Sequence, residues 1–275
     1  MPRCTGAGSV ELMVTRSAGL ASLGAPAHGP FRNVFVGVNG RQGGRDAIAL
    51  ARQLAAPDAR ITLVHVYGDD WMMGRGASLE LPLEHHESQE LLARERRAAG
   101  LDAEILACAY PPAGPRLLEL AEKNEGDLLV VGCSHRGPLG RHLIGDQTAG
   151  ALNGARCAVA IAPTGYASRP RRFSTIGVVC GASSESDSML AAVSTLAADH
   201  GAKIRRVPVG SPRQSAGDEP NAENQAVSEE LDLLVVSSGE DGPRDRSPGA
   251  RAWHHLARRT PCPLLVIAPP EATAP

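Results

Sequence analysis

The chain has few aromatic residues, no long apolar run and no dominant sign of charge. Phe, Trp and Tyr make up 3% of the 275 residues, whereas apolar residues make up 43%. The core is therefore expected to consist mainly of Ala, Val, Leu and Ile. No apolar run approaches the ~18 residues that a membrane-spanning helix needs, so we expect no membrane partner. A net charge of −2 argues against nucleic acid as a partner, because proteins that bind it are typically clearly basic.

The cysteine pattern gives no indication of a metal site or a disulfide framework. The chain has six cysteines, none of them in a Cys-x-x-Cys pair or a cluster. This is typical of free thiols in a reducing cytoplasm. Residues 1–30 are rich in Gly, Ala, Ser and Pro and lack the segments of a secretory signal peptide. We therefore predict a cytoplasmic protein with a disordered tail over residues 1–30.

Residues 127–163 have the pattern of a strand, a glycine-rich loop, a helix and a second strand. Residues 128–131 form an apolar run that ends at Gly132, as expected of a strand buried on both faces. Further glycines follow, the last being Gly145, and Asp146 stands where a helix N-cap belongs. A loop of this kind lets backbone N–H groups approach an anion.

This stretch recurs later in the chain. Residues 232–269 repeat the pattern of residues 127–163. Asp127 and Asp232 are 105 residues apart, as are Cys157 and Cys262, so no gap is needed between these two pairs. In the second copy, Ser237 and Ala250 stand at the positions of Gly132 and Gly145, and Arg251 stands at that of Asp146. We therefore predict two copies of one unit, the second of them degenerate.

The remaining pattern predicts alternating strands and helices. Apolar runs over residues 33–38 and 61–66 flank a helix, and such a strand–helix–strand unit is parallel and right-handed. In the first copy we also predict a charged helix over 84–99, a short edge strand over 103–107 and a helix from Pro115 to Gly126. In the second copy we predict a strand over 176–180, a helix over 183–199 and a strand over 204–207.

These elements predict a chain of two domains. We expect a tail (1–30), a first domain (31–163), a linker (164–173) and a shorter second domain (174–270). Val38 and Asp127 are 89 residues apart, whereas Val179 and Asp232 are 53 apart, so the second copy has no room for the charged helix and the edge strand. A sheet trimmed in this way is expected to depend on the first domain for stability.

The glycine spacing resembles the nucleotide loop of the universal stress protein family, G-x2-G-x9-G-(S/T). Gly132 and Gly145 occupy the first and last glycine positions, whereas His135 replaces the middle glycine and Asp146 replaces the hydroxyl residue. The resemblance implies an α/β fold of two Rossmann-like α/β/α sandwich domains with parallel sheets. It also implies strand order 3-2-1-4-5 and a truncated second domain.

The same resemblance implies a nucleotide site at the carboxyl ends of the strands, where the strand order reverses. The family usually has Asp at the position of Asn39. At Asp146 a carboxylate would repel phosphate by roughly 4 kcal/mol at about 4 Å and an effective dielectric constant near 20, unless Mg²⁺ bridges the two. The implied ATP contacts are Val38, Asn39, His65, Val66, Val131, Gly132, Ser134, His135, Gly145, Asp146 and Gln147.

Three classes of function remain open. The first is a non-catalytic stress-response module that binds ATP weakly in its first domain. The second is a member of the same family that binds no nucleotide and acts as a scaffold for an unknown protein partner. The third is a hydrolase acting on a nucleotide. In addition, Cys133 lies among Arg and His residues and is either a reactive thiol or an inert loop cysteine. The resemblance implies that the two domains pair within the chain, and a homodimer is a further possibility.

Overall fold

The computed structural model describes residues 30–68, 77–109, 113–133, 155–170, 172–180, 185–208, 230–237 and 262–267. The first half contains β1 (Phe31–Gly37), α1 (Gln42–Leu54), β2 (Ala55–Tyr67), α2 (Ala77–Ala99), β3 (Glu104–Ala109), α3 (Ala113–Lys123), β4 (Leu128–Gly132) and β5 (Ala158–Ala162). A 3-10 turn (Tyr166–Ser168) follows. The second half contains β6 (Thr175–Cys180), α4 (Glu185–His200), β7 (Lys203–Pro208), β8 (Leu233–Ser237) and β9 (Leu264–Ile267).

The described strands form one sheet of nine strands in the order β3-β2-β1-β4-β5-β9-β8-β6-β7. The first five strands have the predicted order 3-2-1-4-5, and all their pairings are parallel. The two halves form one continuous sheet, because β5 and β9 pair with each other. They are antiparallel, with Ala160 opposite Leu265. Edge strands carry unpaired N–H and C=O groups, and the pairing of β5 with β9, called the seam below, satisfies these groups in both halves.

Helices cover both faces of the sheet. One buried cluster joins alternate strand residues such as Val36 and Val178 to Leu50 of α1 and Leu196 of α4, so α1 and α4 pack on the same face. The other cluster packs Leu117 and its neighbours on α3 against the opposite face. The strands are apolar on both faces because both faces are covered.

Two element boundaries differ from prediction. α2 begins at Ala77 instead of residue 84, because Ala, Leu and Glu sustain the helix through Pro82. β2 begins at Ala55 instead of residue 61, because it continues past an irregularity in its pairing with β1. The prediction that residues 103–107 form an edge strand is confirmed by β3 (Glu104–Ala109), the outermost strand at its end of the sheet.

Candidate functional site

The crevice of interest lies at the carboxyl ends of β1 and β4. The strand order reverses between these neighbours, since β1 leads to β2 on one side and β4 leads to β5 on the other. Open α/β sheets bind ligands at such points. Of the predicted contacts, the structure describes Val38, Asn39, His65, Val66, Val131 and Gly132. Ser134, His135, Gly145, Asp146 and Gln147 lie outside the described residues.

Gly132 at the end of β4 contacts the backbone of Gly43 in the first turn of α1. A Cβ atom placed on Gly132 would lie 1.9 Å from the carbonyl oxygen of Gly43, and one on Gly43 would lie 2.6 Å from that of Cys133. No side chain fits at either position without moving the helix away from the strand. Sequence analysis assigned Gly132 to the approach of a ligand, whereas the structure gives it a role in helix–strand packing.

The first turn of α1 faces this crevice without a side-chain cap. Arg41 occupies the N-cap position and makes no side-chain cap hydrogen bond, and the first turn contains no acidic residue. Just before it, the Asn39 side-chain oxygen accepts a hydrogen bond of 3.0 Å from the Arg41 N–H. This local turn positions Asn39 at the end of β1 and leaves its amide NH2 group as a donor. The start of α1 therefore keeps the partial positive charge that favours an anion.

His65 joins the ends of β1 and β2. Its Nδ1 atom lies 2.7 Å from the carbonyl oxygen of Val38, so this nitrogen carries the hydrogen and donates. His65 and its neighbour Val66 are half-buried, whereas Val38 is buried. The structure thus brings Val38, Asn39 and His65 together at one point, whereas Val66 packs against the cluster beneath α3, on the other face of the sheet.

The side chain of Val131 contributes to the core. It is buried in the cluster beneath α3, close to Leu117 and Gly37. Among the described residues, therefore, the backbone at the end of β4 faces the crevice, and Val131 supports it from the opposite face.

Asp46 is a buried carboxylate that sequence analysis missed. It lies on α1 and is fully buried, and its oxygens accept hydrogen bonds of 2.8 Å each from the backbone N–H groups of Gly165 and Ala167 and of 2.9 Å from Gln42 Nε2. Asp46 therefore fastens α1 to the 3-10 turn that follows β5. Asp46 is followed by the apolar residues Ala47, Ile48 and Leu50 on the same helix. This position could have indicated a buried carboxylate, which needs hydrogen-bond donors.

Cys133 is a buried thiol at the end of β4. Burial together with the nearby charge of Asp46 raises its pKa to about 12. The thiolate is the reactive form, so both observations favour the alternative of an inert cysteine. The prediction of free thiols is confirmed for Cys108, Cys133, Cys157 and Cys262.

A second polar group missed by sequence analysis lies at the end of β3. Arg116 Nε donates to the sulfur of half-buried Cys108 at 3.1 Å, and its Nη1 contacts Glu119 at 2.6 Å. These two bonds hold the pKa of Arg116 above its ordinary value. The bond to Cys108 ties the start of α3 to the edge strand, whereas the bond to Glu119 lies within α3.

The described ranges contain no group of three or more His, Cys, Asp or Glu side chains placed to hold a metal ion. Within the same ranges, no helix is long and apolar enough to cross a membrane.

Comparison with known proteins identifies the first half of the chain. Residues 30–163 match the model of the Universal stress protein family. No curated protein matches the chain. A universal stress protein solved in complex with cAMP is 25% identical over 49% of this chain and 98% of its own, with a TM-score of 0.35.

Two solved structures share the fold over most of the chain. A universal stress protein from Archaeoglobus fulgidus is 13% identical over 86% of this chain and 98% of its own, with a TM-score of 0.61. A functionally unknown protein from Pseudomonas aeruginosa is 14% identical over 87% of this chain and 93% of its own, with a TM-score of 0.60. Residues 30–163 are therefore a domain of the universal stress protein family.

Proposed function

We propose that the chain acts in a cellular stress response as a non-catalytic module that binds ATP in the domain of residues 30–163. Membership of the family supports the stress role. The observation that supports nucleotide binding is the uncapped first turn of α1, which lies against Gly132 at the strand switch point and contains no acidic residue. Helix N-termini of this kind attract phosphate groups.

The described donors suit an adenine nucleotide. Asn39 offers an amide NH2 group, and Val66 offers a half-buried apolar surface on which a base can pack. The ring nitrogen of His65 that does not bond Val38 is available for a hydrogen bond to the sugar or base. When bound, Mg²⁺ would neutralise phosphate charge, and Asp146 is its proposed ligand.

The second candidate is an interaction module that binds no nucleotide. The contact between Gly43 and Gly132 favours it, because close packing explains both glycines without any ligand. Asp146 favours it too, since a carboxylate at the hydroxyl position of the motif repels phosphate.

Melting temperatures of the full chain with and without Mg-ATP distinguish these candidates. If ATP binds, a concentration about tenfold above Kd is expected to raise the melting temperature by several degrees. The variant Asp146→Ser restores the family's hydroxyl, and Asp102→Ser removes an exposed carboxylate elsewhere as a control for charge.

Each outcome has a defined meaning. A rise in the wild type supports ATP binding, whereas a rise only in Asp146→Ser supports the interaction module. If the melting temperature rises in neither the wild type nor the variants, the proposal of a nucleotide site is contradicted. Phosphate release from ATP is measured in parallel, and release above the buffer rate would contradict the non-catalytic proposal.

A further inference from the structure

The two outer strands of the sheet differ in how they are covered. All six residues of β3 are half-buried beside α2. At the other end, Lys203, Ile204, Arg205 and Arg206 of β7 are all exposed. Ile204 is 37% exposed and is one of two large apolar side chains exposed within the described residues. The β7 edge is therefore accessible to another molecule.

The backbone of β7 presents hydrogen-bonding groups to solvent on its outer side. Lys203 N donates to the carbonyl of Ser174, just before β6, at 2.8 Å. In a parallel pair, alternate residues face the neighbouring strand, so Ile204 and Arg206 direct their N–H and C=O groups away from β6. Pro208 has no N–H group, and it ends this row of donors.

The charge of this edge selects the kind of partner. Three of the four residues from Lys203 to Arg206 are cationic. Arg205 forms an exposed ion pair of 2.7 Å with Glu230, whereas no carboxylate of the described residues lies within 4.0 Å of Lys203 or Arg206. A second copy of β7 would place cations opposite cations, which disfavours self-pairing.

We infer that β7 is a docking edge for an extended acidic segment of another protein, which adds to the sheet as a further strand. The main chain of the segment pairs with Ile204 and Arg206. Its carboxylates lie beside Lys203 on one face of the sheet, and its apolar side chains pack on Ile204 on the other face. In strand addition, main-chain hydrogen bonds provide affinity and alternate side chains provide specificity. This inference is independent of nucleotide binding.

The test uses the full chain and a blocked heptapeptide in which glutamate alternates with valine. Binding is measured by fluorescence anisotropy at low and physiological salt. Two further versions of the peptide carry N-methyl groups on alternate residues and have the same charge. One version, or frame, is methylated at the odd-numbered residues, and the other frame is methylated at the even-numbered residues. A strand has only one edge facing β7, so one frame is expected to abolish binding and the other to preserve it.

Paired variants test the protein side. Ile204→Pro removes an outward N–H group, a change that an edge strand tolerates, whereas Ile204→Thr keeps it. The proline variant is expected to bind the peptide about fivefold to tenfold more weakly, which corresponds to one lost hydrogen bond, and the threonine variant is expected to bind nearly as the wild type does. Lys203→Glu combined with Arg206→Glu is expected to weaken binding about tenfold. Circular dichroism confirms that each variant is folded.

Three results would overturn the inference. The first is absence of binding by the wild type at millimolar peptide. The second is equal binding of both N-methylated frames, which would indicate attraction of charge without strand pairing. The third is displacement of the peptide by a single-stranded oligonucleotide of equal charge at equal concentration, which would indicate a general anion surface.

Discussion

The two halves of the sheet are alike where their strands begin and differ where they end. Asp127 and Asp232 each accept two successive backbone N–H groups from the start of the neighbouring strand, at 2.7 and 3.0 Å in the first half and at 2.8 and 3.0 Å in the second. At the opposite ends, the first half has the contact between Gly43 and Gly132. The second half has Ser237 at the end of β8, and the first four residues of α4 include no glycine.

This difference separates two requirements of the fold. The aspartates fix strand register, which both halves need, and the register of β4 with β5 recurs in β8 with β9. The glycines allow a helix to approach a strand end closely, and only the first half has both. The second half thus retains the frame of the sheet without the glycines that allow the close approach at the crevice.

The largest expected effect on stability comes from replacing Gly132 at the end of β4 with serine, the residue found at the end of β8. Gly132→Ser places a Cβ atom 1.9 Å from the Gly43 oxygen, so α1 must move away from β4. We expect the free energy of unfolding to fall by about 3 kcal/mol or more, as measured by urea denaturation. The reverse change, Ser237→Gly, is expected to alter it by no more than about 1 kcal/mol. Equal losses would show that the two strand ends are equivalent after all.

The aspartate pair offers a finer comparison. Asp127 uses one oxygen for each N–H group, whereas Asp232 accepts both with Oδ2. An asparagine has a single acceptor oxygen, so Asp127→Asn loses one bond and Asp232→Asn can keep both. We expect a loss of about 2 kcal/mol for the first and less than about 1 kcal/mol for the second in the same denaturation experiment. A larger loss for Asp232→Asn would contradict the hydrogen-bond geometry.

A comparison that appears only at alkaline pH concerns the cysteines at equivalent positions, Cys157 and Cys262. Burial raises their pKa values to about 11 and about 12, from an ordinary value of 9.0. Above pH 9 the unfolded chain therefore loses thiol protons that the folded chain retains, and stability falls as pH rises. Each thiol is expected to contribute about 1.4 kcal/mol per pH unit between its two pKa values.

Single alanine variants at the two cysteines measure this contribution. Denaturation between pH 9.5 and 10.5 is expected to show a shallower loss of stability for Cys157→Ala and Cys262→Ala than for the wild type, with all slopes alike at pH 7. Above about pH 11, only Cys262→Ala is expected to remain shallower. An unchanged slope in either variant would show that its thiol ionises in the folded chain.

The sequence predicted the strands well and their assembly less well. Runs such as residues 128–131 are apolar on both faces, and this pattern is sufficient to locate a buried parallel strand. The pairing of β5 with β9 was not predicted, because a strand's own pattern does not reveal which strand covers its outer edge. The start of α2 was also missed, because Pro82 is usually a helix breaker.

For the candidate site, sequence analysis identified positions better than roles. Asn39 and His65 were predicted from the resemblance, and they lie together at the expected strand ends. The packing role of Gly132 and the buried contacts of Asp46 depend on residues far away in sequence, Gly43 and Gly165, so no local motif could reveal them. The predicted phosphate-binding residues after Cys133 lie outside the described ranges.

The antiparallel seam between β5 and β9 has a consequence for mass action. Both strands belong to one polypeptide, so the local concentration of each near the other is set by the chain and does not change on dilution. A seam between two separate chains would open as the protein concentration fell. Here the nine strands are expected to stay joined at the nanomolar level, and their melting temperature is expected to be the same at every protein concentration.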